Sequence, residues 1–381
     1  MAPVSIYSAL LMSRTRAMLQ EQLGTQPLTL GEGARLVFGT DRAALLIYFV
    51  VYGLFGFLGN ASYLLVLGEA LQGVLYQYEL CLPSAVLVSC CCVAPLAVSV
   101  RHLADSVWLC FGNLFLILAV LGIVMAAQAH EGPVHDSQTF WFAEDLSFLT
   151  LFGAMTNIVY SYTGHWLYFE MMAEMTTPEQ FPRVFLINAP LQIFLYLTVA
   201  CWGYYFAGNK AQGFFLDNLA LGSSFQAASA LLFVHVVIAF LIKNVVLCHY
   251  LHGLLSHRVE DSGGRSRVEY AACALFLLGG SFLVANSIPF FSDLLGLIGG
   301  LLSGPVSFLL PMALFLGATR MKARSTNSLG GVQSVDGVLI TFIGVFILLT
   351  MVVGTYNVLV NIVSDTSMYG LPFSCKLLER K

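Results

Sequence analysis

Ser161-Tyr162-Thr163-Gly164-His165 lies deep in a long apolar run that closes with Glu170-Met171-Met172-Ala173-Glu174-Met175 and then Pro178-Glu179-Gln180-Phe181-Pro182. A glycine flanked by hydroxyls and an imidazole weakens a helix. A bilayer offers no water to the freed backbone groups, so protein or a water-filled cavity must satisfy them. Polar and ionisable groups at such depth are costly and mark solute or ion paths. The stretch therefore reads as a discontinuous membrane helix, and the fold is read outward from it.

Composition sets the class. Of 381 residues, 58% are hydrophobic and only 10% charged, against roughly 25% charged in soluble domains; mean hydropathy is +0.82. This is an all-α polytopic membrane protein whose main partner is the lipid bilayer. With a net charge of −4 and scattered basic residues, it has no stripe or motif for nucleic acid. The nine cysteines form no CxxC pair, and Cys90-Cys91-Cys92 would point in three directions around a helix. They read as small hydrophobes rather than as metal or redox groups.

Requiring roughly 20 mainly apolar residues per crossing gives nine spans. They lie near Ala43–Gln72, Cys81–Val100, Asp105–Ala129, Ser147–Met172, Val184–Gly208, Leu221–Leu251, Val268–Pro289, Asp293–Leu316 and Val335–Val363. The organisation is then a segment 1–42, a transmembrane domain 43–363 and a short tail 364–381. Basic residues test this independently, because cytoplasmic loops carry the excess of Lys and Arg. With the amino-terminal segment in the cytoplasm, thirteen of the 17 basic residues fall inside, and only Lys210, Lys376, Arg380 and Lys381 outside. The loop holding Glu131, Asp136, Glu144 and Asp145 has none. Adding or deleting one helix would scramble this alternation. Val4–Met12 is too short to span and is followed by Arg14 and Arg16, so it reads as the end of a helix, with Gly24–Thr40 as a cytoplasmic connection.

Four places in order resemble one family. Tyr162-Thr163-Gly164-His165 with Glu170, Glu174, Pro178 and Phe181-Pro182 resembles the signature of the amino acid/auxin permease family. Phe233–Ala239 with Lys243-Asn244-Val245 is similar to its eighth helix. Ile288–Asp293 with Gly296, Gly299 and Gly300 is similar to its ninth-to-tenth helix junction, and Gly304-Pro305 through Leu310-Pro311 to its tenth helix. The resemblance implies a LeuT-like core of inverted repeats in which the nine spans are helices three to eleven. It also implies amino acid transport coupled to a cation, commonly a proton, with Na⁺ the alternative. Nothing here matches the family's Gly-rich first helix. The expectation is either about sixty further residues upstream, two spans with a connection, or a shortened paralogue.

A zwitterion inside a bilayer needs donors for its carboxylate and acceptors for its ammonium, and a helix broken in mid-membrane offers both. Tyr160, Ser161, Tyr162, Thr163 and Gly164 are thus the expected substrate contacts. The alternative is a packing glycine whose neighbouring hydroxyls bond back to the preceding turn. Asn60 and Tyr63, with Ser62, interrupt an apolar stretch and would either face the cavity or pack helices. His165 and His235 can change charge near neutral pH, and Glu170 and Glu174 share one helical face. His165, His235 and Glu170 are therefore the coupling candidates, the family arrangement turning His235 toward the broken helix. Lys243 is expected to snorkel to the inner interface. The run Gly296–Gly304 lacks the Lys and Ser/Thr of a P-loop and reads as close helix packing.

The function expected is secondary transport of neutral amino acids by alternating access, in a plasma membrane or a vacuolar/lysosomal-type membrane. A transport-inactive sensor or scaffold is the second reading. An integral-membrane enzyme is the third, without an HExxH or GxSxG pattern to support it. No cofactor or metal is expected.

Overall fold

The computed structural model describes residues 1–101, 107–142, 146–255, 263–325, 334–369 and 372–375. Asp105, Glu144, Asp145, Arg258 and residues 376–381, to which the sequence reading gives a helix end or loop charges, lie outside the described residues.

The described structure is helical. In chain order the helices are α1 Ala2–Leu23, α2 Leu30–Phe38, α3 Asp41–Val74, α4 Leu82–Ser99, α5 Val107–Glu131 and α6 Phe148–Ser161. They continue with α7 Tyr168–Glu174, α8 Phe181–Ala207, α9 Ser223–Leu255, α10 Gly264–Ser287, α11 Phe291–Ser325 and α12 Val335–Ser364. Among the described residues, eight helices are long and apolar enough to cross a membrane. The ninth expected span is α6 and α7 together, interrupted where the sequence places the weak point.

Two expectations at the start of the chain need correction. The apolar stretch Val4–Met12 is part of a 22-residue helix that runs on through Arg14 and Arg16 to Leu23. Arginine is a good helix former, so the helix runs through both; Arg14 pairs with Asp336 at 3.2 Å, and Arg16 donates to Gln26. The connection Gly24–Thr40 contains a helix of its own. Thr29 caps α2 by accepting from the Glu32 N–H at 3.1 Å, and the Glu32 side chain accepts from the Leu28 N–H just before the cap at 2.9 Å. Gly24 and Gly39 end α1 and α2 at φ near 67° and 66°, a left-handed turn that a side chain would strain.

The chain divides into two compact units. The first comprises Met1–Phe55, Leu146–Leu197 and Leu295–Leu359. Its core is Leu11, Val159, Phe308, Met312, Phe315 and Ile347, from α1, α6, α11 and α12. Helix–helix approach here is set by small residues. A Cβ at Gly299 would stand 2.0 Å from the Thr156 carbonyl, and one at Gly300 2.5 Å from Thr355 Oγ1, as the Gly-rich run suggests. The same region winds as π-helix over Gly299–Ser303, Pro305–Leu309 and Thr350–Gly354. Pro305 contributes to this winding, because it has no N–H to return to the preceding turn.

The second unit comprises Gly56–Asp145, Thr198–Leu294 and Val360–Lys381. Within it α9 packs along α3 and α5, and α10 along α3 and α4. Fully buried Phe225, Phe240 and Tyr270 fill it. Cys90 is buried, whereas Cys91 and Cys92 are exposed, as three adjacent positions on a helix require. Cys81 and Cys375 form a disulfide, which the reading of the cysteines as hydrophobes does not anticipate.

Candidate functional site

The break belongs to the first unit. Ser147 and Thr150 cap the start of α6 reciprocally, so the helix begins cleanly and runs to Ser161. There regular winding stops. The Tyr162 N–H turns back to the Val159 carbonyl at 3.2 Å and the Thr163 N–H to the Tyr160 carbonyl at 3.0 Å, before a short 3₁₀ turn over His165–Leu167 leads into α7. Ser161 Oγ donates to the Asn157 carbonyl at 2.9 Å and Thr163 Oγ1 to the Val159 carbonyl at 2.9 Å. The two hydroxyls flanking the break are therefore engaged with the preceding turn.

The carbonyl of Ser161 finds a partner on α8. Tyr196 Oη donates to it at 2.9 Å and itself accepts from Gln192 Nε2 at 3.0 Å. The Tyr162 ring stands edge-on to that of Tyr196 at 5.3 Å. Neither Gln192 nor Tyr196 was singled out in the sequence, although a polar pair four residues apart in an apolar helix was the available signal. Tyr160 is half-buried, with its Cβ 3.2 Å from where a Cβ on Gly299 would lie. A Cβ at Gly164 would stand 3.1 Å from Tyr168 Oη, so the absence of a side chain there leaves room for the phenol. Beside the break, Ser5, Tyr162, Phe185 and Gln192 border a narrow crevice.

His165 is completely buried, its ring 4.7 Å from that of Tyr168 and 5.2 Å from that of Phe308. Nε2 lies 3.0 Å from the Ser5 carbonyl, while Nδ1 is buried without a hydrogen-bond partner among the described residues. A carbonyl only accepts, so Nε2 carries the proton and Nδ1 presents a lone pair. This is the neutral tautomer. Ser8 on the same α1 donates to the Ser307 carbonyl at 2.8 Å. The hydroxyls of Ser303, Ser307 and Thr355 are buried without partners among the described residues, a polar lining that the sequence reading passed over.

Glu170 and Glu174 separate in the structure although they share a helical face. Glu174 is exposed. One oxygen of Glu170 accepts from Tyr52 Oη, and the other is buried with no partner among the described residues. Trp166 stands edge-on to both Tyr52 and Phe55, with ring centroids 6.0 Å apart in each case. An open acceptor inside an aromatic wall is a place where a proton can be held.

The remaining candidates belong to the second unit, where the structure engages them separately. Asn60 is fully buried and donates to Asn244 Oδ1 at 3.5 Å. Lys243, expected to snorkel to the inner interface, holds its ammonium 4.0 Å from the centroid of the Tyr63 ring, a cation–π contact with α3. His235 Nδ1 lies 3.0 Å from the Asn113 carbonyl of α5, so its ring is turned to α5 and again carries a proton on the bonded nitrogen. Among the described residues no three His, Cys, Asp or Glu side chains are placed to hold a metal ion.

Comparison with known proteins agrees with this architecture. The family described as transmembrane amino acid transporter protein matches residues 1–360. The chain is 27% identical over 294 residues to the N amino acid transport system protein of Neurospora crassa, covering 73% of this chain and 59% of that one. It is 27% identical over 252 residues to amino acid transporter AVT1B of Arabidopsis thaliana, covering 66% and 44%. With amino acid transporter AVT1D of the same plant the identity is 23% over 341 residues, covering 85% and 58%. The chain spans about half the length of the curated relatives it matches.

Proposed function

The chain belongs to the transmembrane amino acid transporter family, and on that premise we propose that it carries neutral amino acids across its membrane together with protons, by alternating access. It is a multi-pass membrane protein and not an enzyme. The observation that carries the proposal is the interruption of the membrane helix at Tyr162–Gly164. Carbonyls at the carboxyl end of α6, the negative end of its dipole, suit an ammonium group. Tyr196 now occupies the Ser161 carbonyl, and an incoming ammonium would compete with that phenol for it.

Two further features support the choice of substrate and ion. From Tyr160 to His165 the only readily titratable side chain is His165, which holds its neutral tautomer against Ser5. Such a lining favours a substrate whose own side chain is uncharged. Of the three coupling candidates, both histidines spend a nitrogen on a backbone carbonyl, whereas Glu170 keeps one oxygen open beside Tyr52. We assign proton coupling to Glu170 and treat the two histidines as structural.

The test is uptake by the purified chain in sealed proteoliposomes, with radiolabelled alanine, glutamine and lysine offered in turn. Alanine and glutamine should accumulate when the imposed proton gradient runs inward, and the accumulation should collapse with a protonophore. Uptake that ignores the proton gradient overturns the coupling. Preference for lysine overturns the choice of neutral substrates, and the absence of flux for any amino acid overturns the transport reading.

A further inference from the structure

Seven of the nine cysteines lie within spans: Cys90, Cys91 and Cys92 in α4, Cys110 in α5, Cys201 in α8, Cys248 in α9 and Cys273 in α10. The other two, Cys81 and Cys375, are bonded to each other across 294 residues, with their Cα atoms 5.2 Å apart. Cys81 directly precedes the first residue of α4. Cys375 lies on the segment after α12, which seats itself on α10. There the Phe373 N–H donates to the Asn286 carbonyl at 3.3 Å, and the Phe373 ring meets that of Phe282 at 6.2 Å. All of these residues belong to the second unit.

The distribution of basic residues gives an independent statement about the same two positions. With the amino-terminal segment in the cytoplasm, Cys81 follows one crossing and Cys375 follows nine. Both crossing counts are odd, so both thiols face the same, extracytoplasmic side. A helix miscounted between them would place the thiols on opposite faces, where no bond could form. Thiols on the cytoplasmic face are kept reduced by the glutathione pool, whereas those facing a secretory lumen or the exterior are oxidised.

We infer that Cys81–Cys375 is a native extracytoplasmic disulfide, made by exchange with an oxidised dithiol carrier of that compartment, and that it staples residues 372–375 onto the outer ends of α4 and α10. One Cys thiolate attacks the carrier's disulfide to give a mixed disulfide, and the second thiolate displaces the carrier. Two thiols lose two protons and two electrons, the carrier's disulfide becomes a dithiol, and no other oxidant is needed. The compartment beyond this face is therefore an oxidising one.

Thiol counting tests this on the full chain in native membranes, using maleimide–polyethylene glycol after denaturation. The wild type should take seven labels without reductant and nine after tris(2-carboxyethyl)phosphine. Cys81→Ser and Cys375→Ser should each take eight labels with or without it. Applied to sealed vesicles, this poorly permeant reductant should raise the count only where the extracytoplasmic face is outermost. A wild type engineered with a protease site between the two cysteines should, once cleaved, run as one species on a non-reducing gel and as two fragments after reduction. Nine labels without reductant, fragments that part without it, or reduction solely from the cytoplasmic face would each overturn the inference.

Discussion

Tyr52 donates its phenol to one oxygen of Glu170 while the other oxygen is buried without a partner among the described residues. A carboxyl so placed is satisfied on one side only, and a proton on the open oxygen is the simplest way to remove its charge from an apolar surrounding. If that proton is the coupling ion, Glu170→Gln fixes the neutral form while keeping an acceptor for Tyr52. Proton-driven accumulation should then be lost, at a coupling energy of about 1–3 kcal/mol or roughly 5- to 150-fold. Exchange of labelled for unlabelled amino acid should persist. The pH dependence of uptake should flatten in Glu170→Gln and remain in His235→Gln, whose amide can still donate to Asn113. A flat profile in the histidine variant alone would move the coupling site to α9.

Tyr196→Phe removes the donor to the Ser161 carbonyl without changing the ring that meets Tyr162 edge-on. A carbonyl left unsatisfied in a membrane protein costs about 1–3 kcal/mol, so detergent-solubilised protein should unfold at a lower temperature. A substrate ammonium that takes the same carbonyl should restore the difference, and saturating substrate should therefore shift the variant's melting temperature more than that of the wild type. Equal shifts would mean that substrate does not reach Ser161.

Much of this architecture is legible in the sequence because it rests on quantities that a chain displays directly. Apolar length locates the long helices between α3 and α12. Gly164, between the Thr163 hydroxyl and the His165 imidazole, marks the interruption to within two residues. What the sequence hides depends on partners far along the chain. Val4–Met12 followed by Arg14 and Arg16 reads as a helix end, and only the structure shows Arg14 carried on within α1 and paired with Asp336, 322 residues away. Glu170 and Glu174 are equivalent by spacing and are distinguished only by Tyr52. Lys243 finds the Tyr63 ring on α3, and Cys81 finds Cys375. Helix α2 is a different kind of miss. Its Thr29 cap and Gly39 stop are visible in the sequence, within the stretch that reads as a cytoplasmic connection.

The glycines of α11 divide into those that packing needs and those elsewhere that it does not. Gly299→Ala would drive a methyl group toward the Thr156 carbonyl, whereas Gly279 in α10 has nothing within 4 Å of such a group. Overpacking costs about 1–3 kcal/mol, and here the obstacle is backbone, which cannot rotate aside. Folded yield in membranes should fall sharply for Gly299→Ala and stay at the wild-type level for Gly279→Ala, read by fluorescence size-exclusion chromatography of a tagged chain. Equal yields would show that α6 and α11 lie farther apart than described.

Gly164 is the position where packing and transport can be separated. A Cβ there meets Tyr168 Oη at 3.1 Å and Tyr168 Cε1 at 3.3 Å, a contact that a small movement of the phenol relieves. Tyr168 packs against His165, Phe181 and Phe185, so the room it has is limited. Gly164→Ala should therefore fold and retain reduced uptake, while Gly164→Leu should insert into membranes near normally and carry no amino acid, because its side chain fills the space beside the break. Truncating the obstacle in the double variant Gly164→Ala with Tyr168→Phe should bring uptake back toward the wild type if the phenol is what the methyl group displaces. Wild-type flux by Gly164→Leu in proteoliposomes would place the substrate path elsewhere in the chain.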